Sequence, residues 1–184
     1  MRALVLATLL CAGPAGADPL VDLPTLFQQN ADRVVLKDNG STVYRQLSLG
    51  DGVVTRCKGE GYDDCNSIDT NDRGGTTDCA LLYATRTLML TQQCQIGGAA
   101  SRFMLKKILG DLGAHVASNA VPSRDWPTLQ ALVMERAQRD PLPTCAELDE
   151  VGSSFVASRL ELDDLQELQA MTAAPRLPVG KCLD

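Results

Sequence analysis

Six cysteines, Cys57, Cys65, Cys79, Cys94, Cys145 and Cys182, constrain this chain more than any other feature. A seventh, Cys11, lies in the opening stretch MRALVLATLLCAGPAGA, which reads as a cleaved secretory leader over residues 1–17. Arg2 supplies a positive start, Ala3 to Ala12 an apolar stretch, and Ala15-Gly16-Ala17 a small-x-small cleavage pattern. The apolar stretch is too short to span a bilayer, which takes about 20 residues. Leu10, directly before Cys11, is too bulky for lipoprotein processing. Removing the leader leaves an even number of cysteines in an exported chain, and that parity argues for structural disulfides.

The spacing excludes the other uses of cysteine. Structural zinc takes four Cys or His ligands in close pairs, whereas the first four cysteines here are separated by seven, thirteen and fourteen residues. The single histidine, His115, falls on an expected helix far from them, where a surface or core role is the simpler reading. No C-x-x-C occurs, so a thioredoxin-like redox motif is absent. Six cysteines allow fifteen pairings, which sequence cannot rank. Joining neighbours gives the expected set Cys57–Cys65, Cys79–Cys94 and Cys145–Cys182, the last fastening the C-terminal tail to the start of a helix.

The expected fold class is α+β. A small N-terminal antiparallel β-meander leads into a disulfide-closed loop and then a mostly helical C-terminal half. Residues 18–121 are expected to form an α+β lobe, with a helical region over residues 122–184 packing on it. LPTLFQQ is a short helix. Val34, Val35 and Leu36 open a strand, and Asn39-Gly40 signals a two-residue type I′ hairpin. Asn39-Gly40-Ser41 also matches a glycosylation sequon, but the turn explains the same residues. Val43, Arg45, Leu47 and Leu49 share one parity of a second strand, Gly50-Asp51-Gly52 turns the chain, and Val53 to Cys57 is a third strand. RCKGEGYDDCNSIDTNDRGGTTDC, from Arg56 to Cys79, is too polar to build a core, so its shape is expected from covalent closure. CALLYATRTLMLTQQC, from Cys79 to Cys94, fits strand alternation and helical spacing alike; its threonines and missing cap favour a strand.

Helical signals dominate beyond Ser101. Leu105, Ile108, Leu109, Leu112 and Val116 form an amphipathic stripe ending before Pro122, with Gly110 and Gly113 weakening its end. Asp125 caps a helix from Trp126 to Arg139. Thr144 and Glu147 form a capping box for a helix whose stripe is Leu148, Val151 and Phe155. Another helix starts near Leu162, with Leu165, Leu168 and Met171 on its apolar side.

Chemistry is harder to place. Asp69 to Gly74 matches the opening of an EF-hand loop, but Arg73 and Ala80 stand where oxygen ligands belong. A different calcium geometry through Asp63, Asp64, Asp69 and Asp72 stays open, beside the plain reading of a solvated acidic loop. No G-x-S-x-G, Walker A or dinucleotide motif occurs, and oxidised cysteines are not nucleophiles. Two well-placed carboxylates suffice to hydrolyse a glycoside, but 23 acidic residues single out no pair.

The residues therefore lean away from catalysis and assign no catalytic, cofactor-binding or metal site. The net charge of −6 disfavours nucleic acid, and after leader removal no segment is apolar enough to enter a membrane. The expected function is a non-enzymatic binding or accessory protein of the bacterial cell envelope, periplasmic or secreted, whose acidic loop faces a basic protein partner. The alternatives are a carboxylate-dependent hydrolase of envelope polymers and a calcium-stabilised module.

Overall fold

The computed structural model describes residues 20–49, 52–59, 61–62, 64–69, 76–179 and 182–183. A four-stranded antiparallel sheet occupies the N-terminal side and helices follow, giving the α+β class with a meander that the sequence implies. The expected leader over residues 1–17, Gly50-Asp51 and the whole stretch between Asp69 and Thr76 lie outside the described residues.

Helix α1 spans Leu23–Gln29, with Pro24 in its first turn and Leu26 and Phe27 buried. Ala31–Arg33 adds a short 3-10 turn. The strands are β1 (Val35–Asp38), β2 (Val43–Ser48), β3 (Val53–Lys58) and β4 (Cys65–Asp69), hydrogen-bonded in sequence order. Strand periodicity turns Leu47, Val53, Thr55 and Cys57 inward, where all four are buried.

The first hairpin differs from the expected type I′ turn. Asp38 pairs with Val43, so four residues rather than two make the connection. A type I′ turn needs positive φ at both central residues, and here Gly40 has it (φ 83°) while Asn39 does not. The Asn39 side-chain carbonyl instead accepts from the Ser41 N–H, the Ser41 hydroxyl and the Thr42 N–H, and so organises a wider loop.

The polar stretch after Arg56 is also more structured than expected. Cys65 to Asp69 form β4, and Cys57 lies directly opposite Cys65 in the ladder. Lys58 N–H donates to the Asp64 carbonyl in the neighbouring pair. Cys57 and Cys65 therefore occupy a close-approach position, with Cα atoms 4.1 Å apart, where a cross-strand disulfide fits. Ladder hydrogen bonds and the disulfide shape this hairpin together.

The larger correction is at α2, which spans Thr77–Cys94 as a helix, not a strand. Thr85 and Thr91 are buried, and their hydroxyls donate to the Leu81 and Leu88 carbonyls of the preceding turn. A threonine that bonds back to its own helix hides its polar atom without a strand partner. The other helices are α3 (Ala99–Asn119), α4 (Trp126–Arg139), α5 (Glu150–Ser158) and α6 (Leu162–Ala170). Asp125 caps α4 as its sequence implies, accepting from Thr128 N–H and hydroxyl, and these bonds hold its carboxyl below its ordinary value.

Thr144 and Glu147 do bond to each other: Glu147 accepts from the Thr144 N–H and hydroxyl, which lowers its carboxyl in the same way. They close only a single turn, however. Helix α5 begins at Glu150, capped by Asp149, whose carboxylate accepts from the Gly152 N–H. Its expected apolar stripe also faces the wrong way. Val151 and Phe155 are exposed, while Val156 is buried and Leu160 follows on the same face. Helix α5 lies against α2, and Gly152 instead faces the Leu148 and Asp149 side chains of the turn before it.

Two apolar clusters result. The helical one draws on Leu81, Leu105, Leu112, Val116, Leu129 and Val133, all at most 1% exposed. Each fully buried leucine or valine there contributes roughly 1.5–3 kcal/mol. The smaller cluster sits between α1 and the sheet, around Leu26, Phe27, Leu47 and Cys57. The segment Leu20-Val21 joins them: Val21 bridges Val121 in parallel, Leu20 enters the helical cluster, and Val21 packs against the sheet cluster. Period-two alternation thus sends adjacent side chains into different cores. The tail does likewise, Leu177 packing on the sheet cluster and Leu183 within the helical one.

Candidate functional site

The six cysteines beyond Cys11 are all in disulfides: Cys57–Cys65, Cys79–Cys182 and Cys94–Cys145. The first matches the neighbour pairing and the other two replace it. Cys79 and Cys94 stand at the two ends of α2, fifteen residues apart, which on a helix is about 22 Å; a disulfide spans Cα atoms up to about 7 Å apart. Once α2 is a helix, Cys79 and Cys94 must each find a distant partner. Cys182 does fasten the tail to the start of a helix, but that helix is α2.

The clamp at Cys79–Cys182 includes a fully buried carboxylate. Asp78, in the first turn of α2, accepts from the Cys182 N–H at 2.9 Å. The helix N-terminus favours an anion there. Asp78 and the two sulfurs lie within 4.8 Å of one another, but sulfurs joined in a disulfide are not thiolate donors. The arrangement ties down the tail.

Most of the candidate calcium group falls outside what the structure describes: of Asp63, Asp64, Asp69 and Asp72, only the Asp64 side chain is described, and it is exposed. His115 is half-buried on α3, and burial pushes its pKa below the ordinary value. The Ser118 hydroxyl and the Asn119 side-chain amide donate to its backbone carbonyl, while among the described residues its buried Nε2 has no hydrogen-bond partner.

A concavity does open between α1 and the inner face of the sheet. It is an open depression of about 420 Å³. Phe27, 2% exposed, is its floor. Pro24, Gln28 and Ala31 form the helical rim, and Arg45 and Tyr62 the opposite wall. The Arg45 guanidinium lies 4.4 Å from the Tyr62 ring centroid and 5.9 Å from that of Phe27. Its Nη1 donates to the Tyr62 hydroxyl at 3.2 Å and its Nη2 to the Gly61 carbonyl. The two rings meet at 5.6 Å, tilted by 53°. Stacking and hydrogen bonds hold this wall in one shape before anything binds. Among the described residues lining the depression there is no carboxylate.

Sequence reasoning singled out Arg45 and Leu47 only as one face of a strand and missed this site. Its parts come from three segments, α1, β2 and the β3–β4 connection, and no local motif joins them. Among the described residues no helix is long and apolar enough to cross a membrane. Compared with known proteins, the chain matches no family model, no curated protein and no solved structure.

Proposed function

We propose that this chain is an exported, disulfide-stabilised, non-enzymatic binding or accessory protein of the bacterial cell envelope. Three disulfides, two of them closing long loops, support an oxidising compartment. The depression between α1 and the sheet carries the reading. It is concave, pre-shaped and lined mainly by apolar and aromatic side chains, with Gln28 and Arg45 as polar edges. Such a surface receives an apolar side chain of a partner protein and hydrogen-bonds the backbone beside it. The acidic stretch between Cys65 and Cys79 suits a partner with basic residues, on charge grounds.

A photo-crosslinking residue placed at Gln28 of the exported protein tests the reading. The expected result is one adduct with an envelope protein, reproduced with that protein purified and abolished by Ala31→Arg on the rim. A crosslinker at Glu135 on α4 gives no such adduct. An adduct unaffected by Ala31→Arg, or none at Gln28, contradicts the reading.

A further inference from the structure

The opposite face of the same sheet carries a second surface of different chemistry. Strand alternation and register arrange its side chains in rows. One row runs Lys37, Tyr44, Lys58 across β1, β2 and β3; the next runs Val35, Gln46, Arg56, Asn66 across all four strands. Lys37, Arg56 and Lys58 are exposed, and none is in an ion pair among the described residues. The two lysines are two strands apart, about 10 Å between backbones, with Tyr44 between them. The Arg56 guanidinium lies 5.5 Å from the Tyr44 ring centroid, and its Nε donates to the Gln46 side-chain carbonyl at 2.9 Å. Among the described residues one carboxylate, the exposed Asp64, stands at the corner of the patch beyond Lys58. In a chain of net charge −6, this face gathers cations around an aromatic ring and two amides.

We propose that this outward sheet face binds a carboxylate-bearing polysaccharide. The apolar face of a sugar ring stacks on Tyr44, the amides of Gln46 and Asn66 meet its hydroxyls, and Lys37, Arg56 and Lys58 neutralise its carboxylates. Other polyanions fit less of the surface. A membrane needs bulky apolar side chains to insert, and among its described side chains the face offers Val35 and Val54. Single-stranded nucleic acid needs several stacking rings, and among the described residues the face carries one. An acidic peptide uses the cations and leaves the ring and amides idle. The proposal is independent of the depression, which lies on the inner face.

Calorimetric titration of the full exported chain with polygalacturonate tests it, beside dextran, poly-glutamate, phosphatidylglycerol vesicles and single-stranded DNA. Polygalacturonate is expected to bind best. Its affinity should fall by about tenfold with Tyr44→Ala and again with Lys37→Glu/Lys58→Glu, and should weaken with added salt. Arg56→Gln, an exposed change, is the second variant should Tyr44→Ala unfold the sheet. Ala31→Arg, on the inner face, leaves this binding unchanged. No binding to polygalacturonate overturns the proposal. So does equal or tighter binding of dextran, poly-glutamate, vesicles or DNA, or an affinity indifferent to both Tyr44→Ala and Arg56→Gln.

Discussion

The sheet region and the helical region are stapled in opposite ways. In the sheet, Cys57 and Cys65 are eight residues apart and already opposite each other in a ladder. In the helical region, Cys94–Cys145 and Cys79–Cys182 join residues 51 and 103 apart. A cross-link stabilises mainly by restricting the unfolded chain, and more so for longer loops. The chain-entropy estimate is about 2.5 kcal/mol for the short closure and about 4–5 kcal/mol for each long one. The sheet bridge thus reinforces a contact that hydrogen bonds already make. The helical bridges create proximity that no local interaction encodes.

That contrast predicts the largest effect. Replacing both Cys79 and Cys182 with Ala should lower Tm by about 10 °C and make the tail after Pro175 sensitive to protease. Replacing Cys57 and Cys65 with Ala should cost about half as much, with hydrogen exchange rising in β3 and β4 and little in α2 to α4. Equal losses for the two pairs would break the comparison.

Packing gives the next largest effect, and α3 supplies its own control. A Cβ at Gly113 would run into the Trp126 ring, whereas one at Gly110 meets open space. Gly113→Ala should destabilise by about 1–3 kcal/mol through overpacking and shift Trp126 fluorescence. Gly110→Ala should stabilise by roughly 0.5–1 kcal/mol, the ordinary helical gain over glycine. A stabilising Gly113→Ala would remove the α3–α4 contact from the account.

A smaller effect sharpens the picture of how the helices begin. Asp125→Ala removes the cap on α4 and should lower Tm by about 2–4 °C. Because hydrogen bonds from Thr128 hold the folded pKa of Asp125 below 3.8, its contribution is complete above that value. It is lost as pH falls through the depressed folded pKa. Melts in acid should therefore show the Asp125→Ala deficit shrinking.

His115 gives the smallest effect, in a different window. Burial lowers its folded pKa below 6.5. Its contribution is present above 6.5 and is lost as pH falls through the folded value, because the unfolded chain takes the proton first. His115→Asn should flatten the dependence of Tm on pH just below 6.5.

Legibility in the sequence followed the range of the interaction. Local signals were readable: Leu23–Gln29, the stripe Leu105 to Val116, and the Asp125 cap placed helices where they occur. So did the meander strands, because alternation and turn residues act over a few positions. Failures came where a distant contact decides. Thr85 and Thr91 look like strand residues until their hydroxyls are seen to bond back into α2. Val151 and Phe155 look like a core stripe, yet α5 packs against α2 with Val156 buried and the larger pair exposed. The pairing of Cys79 and Cys94 joined sequence neighbours and failed because α2 holds them at its two ends, each beside a partner distant in sequence. The depression at Phe27, Arg45 and Tyr62 had no local signature.

The central claim is that covalent ties over long sequence distances hold the helical half together. Peptide mapping of the unreduced protein by mass spectrometry tests it most directly. The expected map has three linked pairs: Cys57 with Cys65, Cys79 with Cys182, and Cys94 with Cys145. Free thiols at these positions, or links joining Cys79 to Cys94 and Cys145 to Cys182, would contradict it.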